Sequence, residues 1–224
     1  MTTDLHHPWD VSPAEAVAIQ RRLAPLARTG APVRLEDVRT VAGIDASYRE
    51  VGRAAVVVLT YPALEVVEQA VATVASVFPY VPGLLSFREG PVVLAALAKL
   101  TARPDLLMFD GQGYAHPRRL GLASHIGLLA GLPSIGCAKS RLVGRHDEPG
   151  PALGDRAPLV AGGETVGMVL RTKPRTRPLF VSPGYRVDLE TAVAVVLRCL
   201  RGYRLPEPTR LADRLAGEAS DWSE

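Results

Sequence analysis

Cysteine is scarce: the 224 residues hold two, Cys137 and Cys199. Neither stands at metal-ligand spacing, which argues against a thiolate zinc site and a disulfide framework. The expectation is two reduced core thiols, Cys137 on a strand and Cys199 on a helix, in a cytosolic protein. Long apolar runs are also missing. None approaches the roughly 20 residues that span a bilayer, so no membrane association is expected. The first ten residues carry His6, His7, Pro8 and Trp9 but no apolar signal core, so nothing points to export and the expected location is cytoplasmic. No internal repeat and no long linker divides the chain, which leaves one domain over residues 1–224. A Gly-rich loop ending in Lys-Ser/Thr is absent, which weighs against a phosphotransferase. Charge of one sign is not in large excess: 26 Lys and Arg against 23 Asp and Glu give +3, with a pI near 9.1. That balance permits nucleic-acid binding without demanding it.

What is present reads as one sizeable α/β domain, with 47% apolar and 22% charged residues. Residues 11 to 30 predict a helix. Ser12 caps it, Glu15 follows three residues on, Pro13 suits the first turn, and Ala16, Ile19, Leu23 and Leu26 form its stripe. Val41 to Ser47, Arg53 to Tyr61 and Leu64 to Val77 read as three strands of an antiparallel meander. After Pro91 a helix runs to Leu100. Leu106 to Phe109 is wholly apolar and reads as a strand buried on both faces. A helix over Leu120 to Ala130 and a strand over Ser134 to Ala138 follow. Residues 144 to 163 read as a loop. Glu164 to Arg171 and Leu179 to Val187 read as two further strands. Asp188 caps a last long helix striped by Val193, Val196, Leu197 and Leu200, and the charged tail after Pro206 looks helical. A meander leading through helices into parallel strands predicts one mixed sheet flanked by helices, an arrangement that resembles the ribonuclease H-like fold.

Three carboxylates draw the chemistry together. Asp45 is expected to close the first strand and Asp110 the fourth. Glu89 lies at or near a helix entrance, in a stretch where Leu85, Val92, Val93 and Ala96 share its face. A single strand-end Asp is more often a turn residue. Three inward carboxylates without a Cys or His cluster instead make an oxygen-rich site that suits Mg²⁺ or Mn²⁺. Gly111 and Gly113 flank Asp110 with open backbone. Lys139, at the end of the next strand, reads either as a solvated cation or as a group steadying a water or a phosphate oxygen. His116 is read as touching phosphate or assisting a metal-bound water, and mid-helix His125 as structural. Arg171, Lys173, Arg175 and Arg177 alternate along a hairpin, as a solvated turn or a track for phosphates. Tyr80 stands between Pro79 and Pro82, whose fixed φ angles stiffen an exposed arm that ends at Gly83.

These residues together resemble the endonuclease V family, over about residues 10 to 205. The motifs are Gly43-Ile-Asp45, Pro79-Tyr-Val-Pro-Gly-Leu-Leu-Ser-Phe-Arg-Glu89, Asp110-Gly-Gln-Gly-Tyr-Ala-His116-Pro, Gly121-Leu-Ala-Ser-His125, Gly136-Cys-Ala-Lys139 and Val181-Ser-Pro-Gly184-Tyr. The resemblance implies a Mg²⁺-dependent DNA repair endonuclease that cuts the second phosphodiester bond 3′ of deoxyinosine and leaves the lesion in place. It implies that Asp45, Glu89 and Asp110 hold the metal, that His116 and Lys139 support catalysis, and that Tyr80 is a wedge beside the displaced base. Pro82, Gly83, Leu85, Gly111 and Leu122 are then expected at the lesion. The partner is deoxyinosine-containing DNA and the protein is expected to be a monomer. An inosine-specific endoribonuclease with the same site stands as the alternative, with a non-catalytic nucleic-acid binder behind it. One departure is visible: Tyr185 follows Gly184 where the family is expected to carry His.

Overall fold

The protein is described here from a computed structural model, which covers residues 5–28, 30–48, 51–75 and 78–218. Alternating and β-branched apolar runs become the strands. β1 (Thr40–Tyr48), β2 (Gly52–Thr60) and β3 (Val66–Val74) form the antiparallel meander, with Asp45 opposite Ala55 and Val56 opposite Ala70. β4 (Leu106–Phe109) lies parallel to β1, and β5 (Ser134–Ala138) lies parallel to β4. β6 (Arg156–Ala161), β7 (Glu164–Leu170) and β8 (Leu179–Pro183) add antiparallel strands beyond β5, giving the order β3-β2-β1-β4-β5-β8-β7-β6.

Helices cover both faces, because each central strand is apolar on both sides. α2 (Leu85–Leu97) and α3 (Leu122–Ala130) pack Val92, Val93, Ala96 and Ile126 against Ala42, Ile44, Leu107 and Phe109. On the opposite face α4 (Leu189–Arg198) and α5 (Glu207–Gly217) pack Val193, Val196 and Ala212 against Val41, Met108 and Ile135. α1 (Pro13–Leu23) starts at the predicted capping box of Ser12 and Glu15. Cys137 and Cys199 are buried free thiols, Cys137 on β5 and Cys199 capping α4. Among the described residues no helix is long and apolar enough to cross a membrane.

Several boundaries differ from the sequence-based expectation. α1 stops at Leu23 rather than 30, and a 3₁₀ turn at Leu26–Arg28 follows, because Pro25 has no N–H to continue the ladder. α2 begins at Leu85, not at Gly90. The chain turns at Val81 to Leu84, where the Leu84 N–H donates to the Val81 carbonyl, and enters the helix at once. Pro91 is then internal, at the cost of one helical hydrogen bond. The segment 144–163, expected as loop, contains β6. Only Ala157 and Leu159 turn inward there, Pro158 is tolerated on an edge strand, and Gly162 and Gly163 supply the positive φ of the hairpin. β8 ends at Pro183 rather than 187, and β3 ends at Val74; Ser76 and Val77 lie outside the described residues.

Candidate active site

Register brings the first two carboxylates together. β1 and β4 are parallel with Ile44 beside Phe109, and the Asp110 N–H donates to the Ile44 carbonyl. Asp45 and Asp110 therefore occupy adjacent positions on neighbouring strands, which run roughly 4.8 Å apart. Asp45 does not close its strand, as expected, because β1 continues to Tyr48. Side chains alternate, so Ile44 and Phe109 enter the α2–α3 layer while Asp45 and Asp110 turn towards α5.

α5 supplies a carboxylate that the sequence reading missed. Oxygen atoms of Asp45, Asp110 and Asp213 all lie within 4.8 Å of one another. The helix is seated by Gly43, where a Cβ would stand 1.9 Å from the Pro208 carbonyl oxygen. Farther along, Ser47 Oγ donates to the Ala216 carbonyl at 3.1 Å. Four strand residues advance about 13 Å and eight helical residues about 12 Å, so strand and helix stay in step between these contacts. Asp213 lands beside Asp45 as a result. The available signal was Gly43 two residues before Asp45, a strand glycine that permits close backbone approach.

Lys139 leaves β5 at the same edge and bridges the group, with Nζ 2.5 Å from Asp110 Oδ2 and 2.5 Å from Asp213 Oδ1. Burial works to lower its pKa, but the two carboxylates outweigh burial and hold the ammonium well above its usual range. Arg204 fixes the backbone there, donating to the Lys139 carbonyl at 2.8 Å. Burial raises Asp110 despite Lys139 beside it. Asp45 is pushed up to about 7 by burial and by the Asp110 charge. Glu89, in the second turn of α2 and 9% exposed, comes from the opposite layer and stands outside the close trio. Burial, then Asp45 and Asp110, raise it to about 8. These donors are all carboxylate oxygens, crowded and partly desolvated, which fits a hard divalent cation.

A cleft of about 230 Å³ runs from Asp110 and Lys139 to the lip carrying Tyr80, and Gly83, Leu85, Gly111 and Leu122 line it. Tyr80 is 66% exposed. Pro82 is exposed beside it and also lines the cleft.

Three other expectations meet a different environment. His116 is 2% exposed with both ring nitrogens engaged: Nε2 lies 2.9 Å from the Gly83 carbonyl, and Nδ1 accepts from the Arg118 N–H at 3.2 Å. Burial lowers its pKa to about 4, so the ring is neutral near pH 7, and it lines the cleft with both nitrogens bonded within the chain. Arg171 is buried, donating to the Gly150, Pro149 and Thr176 carbonyls and pairing with Glu148. It ties the hairpin down and is not part of a phosphate track; Lys173, Arg175 and Arg177 remain exposed. Tyr185 packs with Leu23, Leu120 and Leu128, on α1 and near α3, rather than with the carboxylates. His125 is structural as expected, fully buried between Ser86 Oγ and His7 Nε2, each 2.9 Å away.

The chain is similar to known proteins in both sequence and fold. A sequence profile of the endonuclease V family matches residues 23–214. An endonuclease V of Gloeobacter violaceus is 53% identical over 213 residues, covering 92% of this chain and 85% of that protein. One from a Roseiflexus species is 54% identical over 217 residues, covering 96% and 97%. The crystal structure of Streptomyces avermitilis endonuclease V aligns with a TM-score of 0.87 at 47% identity, covering 93% of this chain and 92% of that one. Ciona intestinalis endonuclease V, solved with a 23-mer DNA containing an inosine followed by a ribo-adenosine, aligns with a TM-score of 0.78 at 28% identity, covering 92% and 97%. With a profile match over most of its length and relatives more than half identical, this chain belongs to the endonuclease V family.

Proposed function

We propose that this protein is a DNA repair endonuclease that hydrolyses the second phosphodiester bond 3′ of deoxyinosine and leaves the lesion on the nicked strand. The observation that carries the reading is one cleft that reaches from Asp110, a member of the cluster of three aspartates, to an exposed tyrosine. Asp45, Glu89 and Asp110 are the residues that would hold Mg²⁺, or Mn²⁺ in its place, with Asp213 joining them from α5. Bound there, the ion supplies Lewis acidity at the phosphate and a water of lowered pKa.

The remaining work falls to the chain itself. The Tyr80 ring fills the space of a base swung out of the stack, and the displaced base enters the cleft among Gly83, Leu85, Gly111 and Leu122. A mispaired hypoxanthine is inexpensive to extrude, which favours it over a paired adenine. Lys139, held protonated by its carboxylate neighbours, faces the departing 3′ oxygen and stabilises its charge. Hydrolysis breaks the P–O3′ bond and leaves a 3′-hydroxyl and a 5′-phosphate. The reading takes the protein to be a cytoplasmic monomer.

The test is a labelled duplex with one deoxyinosine, incubated with Mg²⁺ with and without chelator, beside a matched inosine-containing RNA. Fragments cut at the second bond 3′ of the lesion, with no free base, are expected. Released hypoxanthine, or cutting that persists in excess chelator, overturns the mechanism. Faster cleavage of the RNA assigns the site to an endoribonuclease.

A further inference from the structure

The Gly83 carbonyl is held by an unusual number of donors. Gln20 Nε2 lies 3.1 Å from it, His116 Nε2 2.9 Å and Arg118 Nη2 2.7 Å. A carbonyl oxygen has two lone pairs, and three side chains converge on this one. The donors brace one another, since Arg118 Nε donates to Gln20 Oε1 and the Arg118 N–H donates to His116 Nδ1. Gln20 is 1% exposed on α1, and it also donates to the Leu120 carbonyl. The clamp therefore joins α1, the segment after Asp110 and the turn into α2.

The clamped residue is the hinge of the arm. Val81 to Leu84 form a turn closed by Leu84 N–H to the Val81 carbonyl at 2.9 Å, with Pro82 and Gly83 at its centre. Gly83 has φ of 79°, which suits the third position of a type II turn. Glycine is also the residue with the most freedom to leave that conformation. Tyr80 stands just before the turn and Leu85 opens α2 just after it. Fixing the Gly83 carbonyl fixes the direction of the arm relative to the helix.

We propose that Gln20, His116 and Arg118 are positioning residues that clamp the Gly83 carbonyl and hold the Tyr80 arm ready for base recognition, and that His116 takes no proton in the reaction. The proposal rests on the deoxyinosine endonuclease reading above. Its consequence is a split between binding and chemistry. An arm ordered before DNA arrives spares the ordering cost on binding, roughly ten-fold in affinity for each residue so held. The carboxylate end of the cleft is untouched by the clamp.

The experiment compares wild type with Gln20→Glu, His116→Ala and His116→Gln. Glu in place of Gln20 keeps the volume and still accepts from Arg118, but it cannot donate to Gly83. Gln in place of His116 can donate but cannot act as an acid or base near neutral pH. Amide hydrogen exchange over residues 79–85 is read in the free protein, and single-turnover cleavage of an inosine duplex with Mg²⁺ is read against enzyme concentration and pH.

Gln20→Glu and His116→Ala are expected to speed exchange in that segment and to raise the half-saturating concentration by about ten-fold, with the maximal rate kept within about three-fold. His116→Gln is expected to restore both, with the pH–rate profile of wild type. Loss of the maximal rate in His116→Gln, or loss of one limb of its pH profile, overturns the proposal in favour of acid–base catalysis. Faster exchange with unchanged half-saturation overturns it as well, because the clamp would then serve the fold alone. If His116→Ala fails to fold, the volume-conserving Gln20→Glu carries the same test. Wild type that leaves the inosine duplex uncut overturns the reading beneath the proposal instead. The exchange data need no substrate and so tell the two failures apart.

Discussion

At the sheet edge of the cleft, Asp45, Asp110 and Asp213 bring like charges within 4.8 Å, and Lys139 pairs with only two of them. At the arm end, the Gly83 carbonyl meets three donors around a neutral His116. Both ends are built from buried or half-buried polar groups, yet their electrostatics are opposite. The arm end is satisfied within the chain, so its geometry is preset and stable. The edge retains repulsion between partly desolvated carboxylates, which a divalent cation relieves. On the function proposed above, chemistry falls to the end that a cation would complete and recognition to the end already complete.

The largest effect that sharpens this contrast is expected from Asp45→Asn. Cleavage of the inosine duplex should fall to background, while the chelated protein at pH 8 gains about 1–3 kcal/mol of stability as a buried charge is removed. Kinetics and urea melts of the chelated variant test both halves; a variant less stable than wild type would show that the edge is not under electrostatic stress.

Next in size is a pH effect on the chelated protein. Asp45 and Glu89 are raised to about 7 and about 8, so the folded state binds more protons than the unfolded chain above their usual values of 3.8 and 4.5. Their contribution is present at low pH and lost as pH rises through 7 and 8. His116 and His125 are lowered to about 4 and about 3, so the unfolded chain binds the extra protons below 6.5 and stability falls on acidification there. Between about pH 4.5 and 6.5 the two pairs oppose each other; above 6.5 only the carboxylates act. At about 1.4 kcal/mol per pH unit per group, stability should drop by about 2–3 kcal/mol from pH 6.5 to 8. Saturating Mg²⁺ should reduce the drop. Melts across that range, with and without the ion, decide; a flat chelated profile breaks the contrast.

Tyr80→Ala tests the other end. It should weaken binding to the inosine duplex by about 1–3 kcal/mol through lost stacking and change binding to unmodified duplex little. Equal losses on both would make Tyr80 a general contact. The smallest effect is expected from neutralising Lys173, Arg175 and Arg177 together. Stability should move by less than about 0.5 kcal/mol and base preference not at all, while the slope of log affinity against log salt shrinks by up to about 3. An unchanged slope returns this hairpin to the role of a solvated turn.

Much of the fold was legible in local pattern. Apolar runs marked β1 and β2, the Ser12–Glu15 box marked the start of α1, and the apolar run of β4 marked a doubly covered strand. Weak local signals misled. Pro91 implied a helix start that the Val81–Leu84 turn pre-empts, and β6 has too few inward residues to stand out from its Gly and Pro neighbours. Arg171 reads like its exposed hairpin neighbours until its carbonyl partners are seen.

By itself the chain's sequence determined β1, β2 and β4, the caps of α1 and α4 and the stiff arm around Tyr80, because each depends on local pattern or backbone preference within a few residues, whereas the β1–β4 register that sets Asp45 beside Asp110 is a long-range pairing. The tertiary structure alone decided that Asp213 joins them, that Glu89 stands apart in the other layer and that His116 is neutral and fully bonded. Those outcomes depend on distances between elements far apart in sequence. Asp213 sits on a charged amphipathic helix that looks like any solvated tail, and only the Gly43–Pro208 contact lays that helix along β1 and turns an ordinary surface aspartate towards the site.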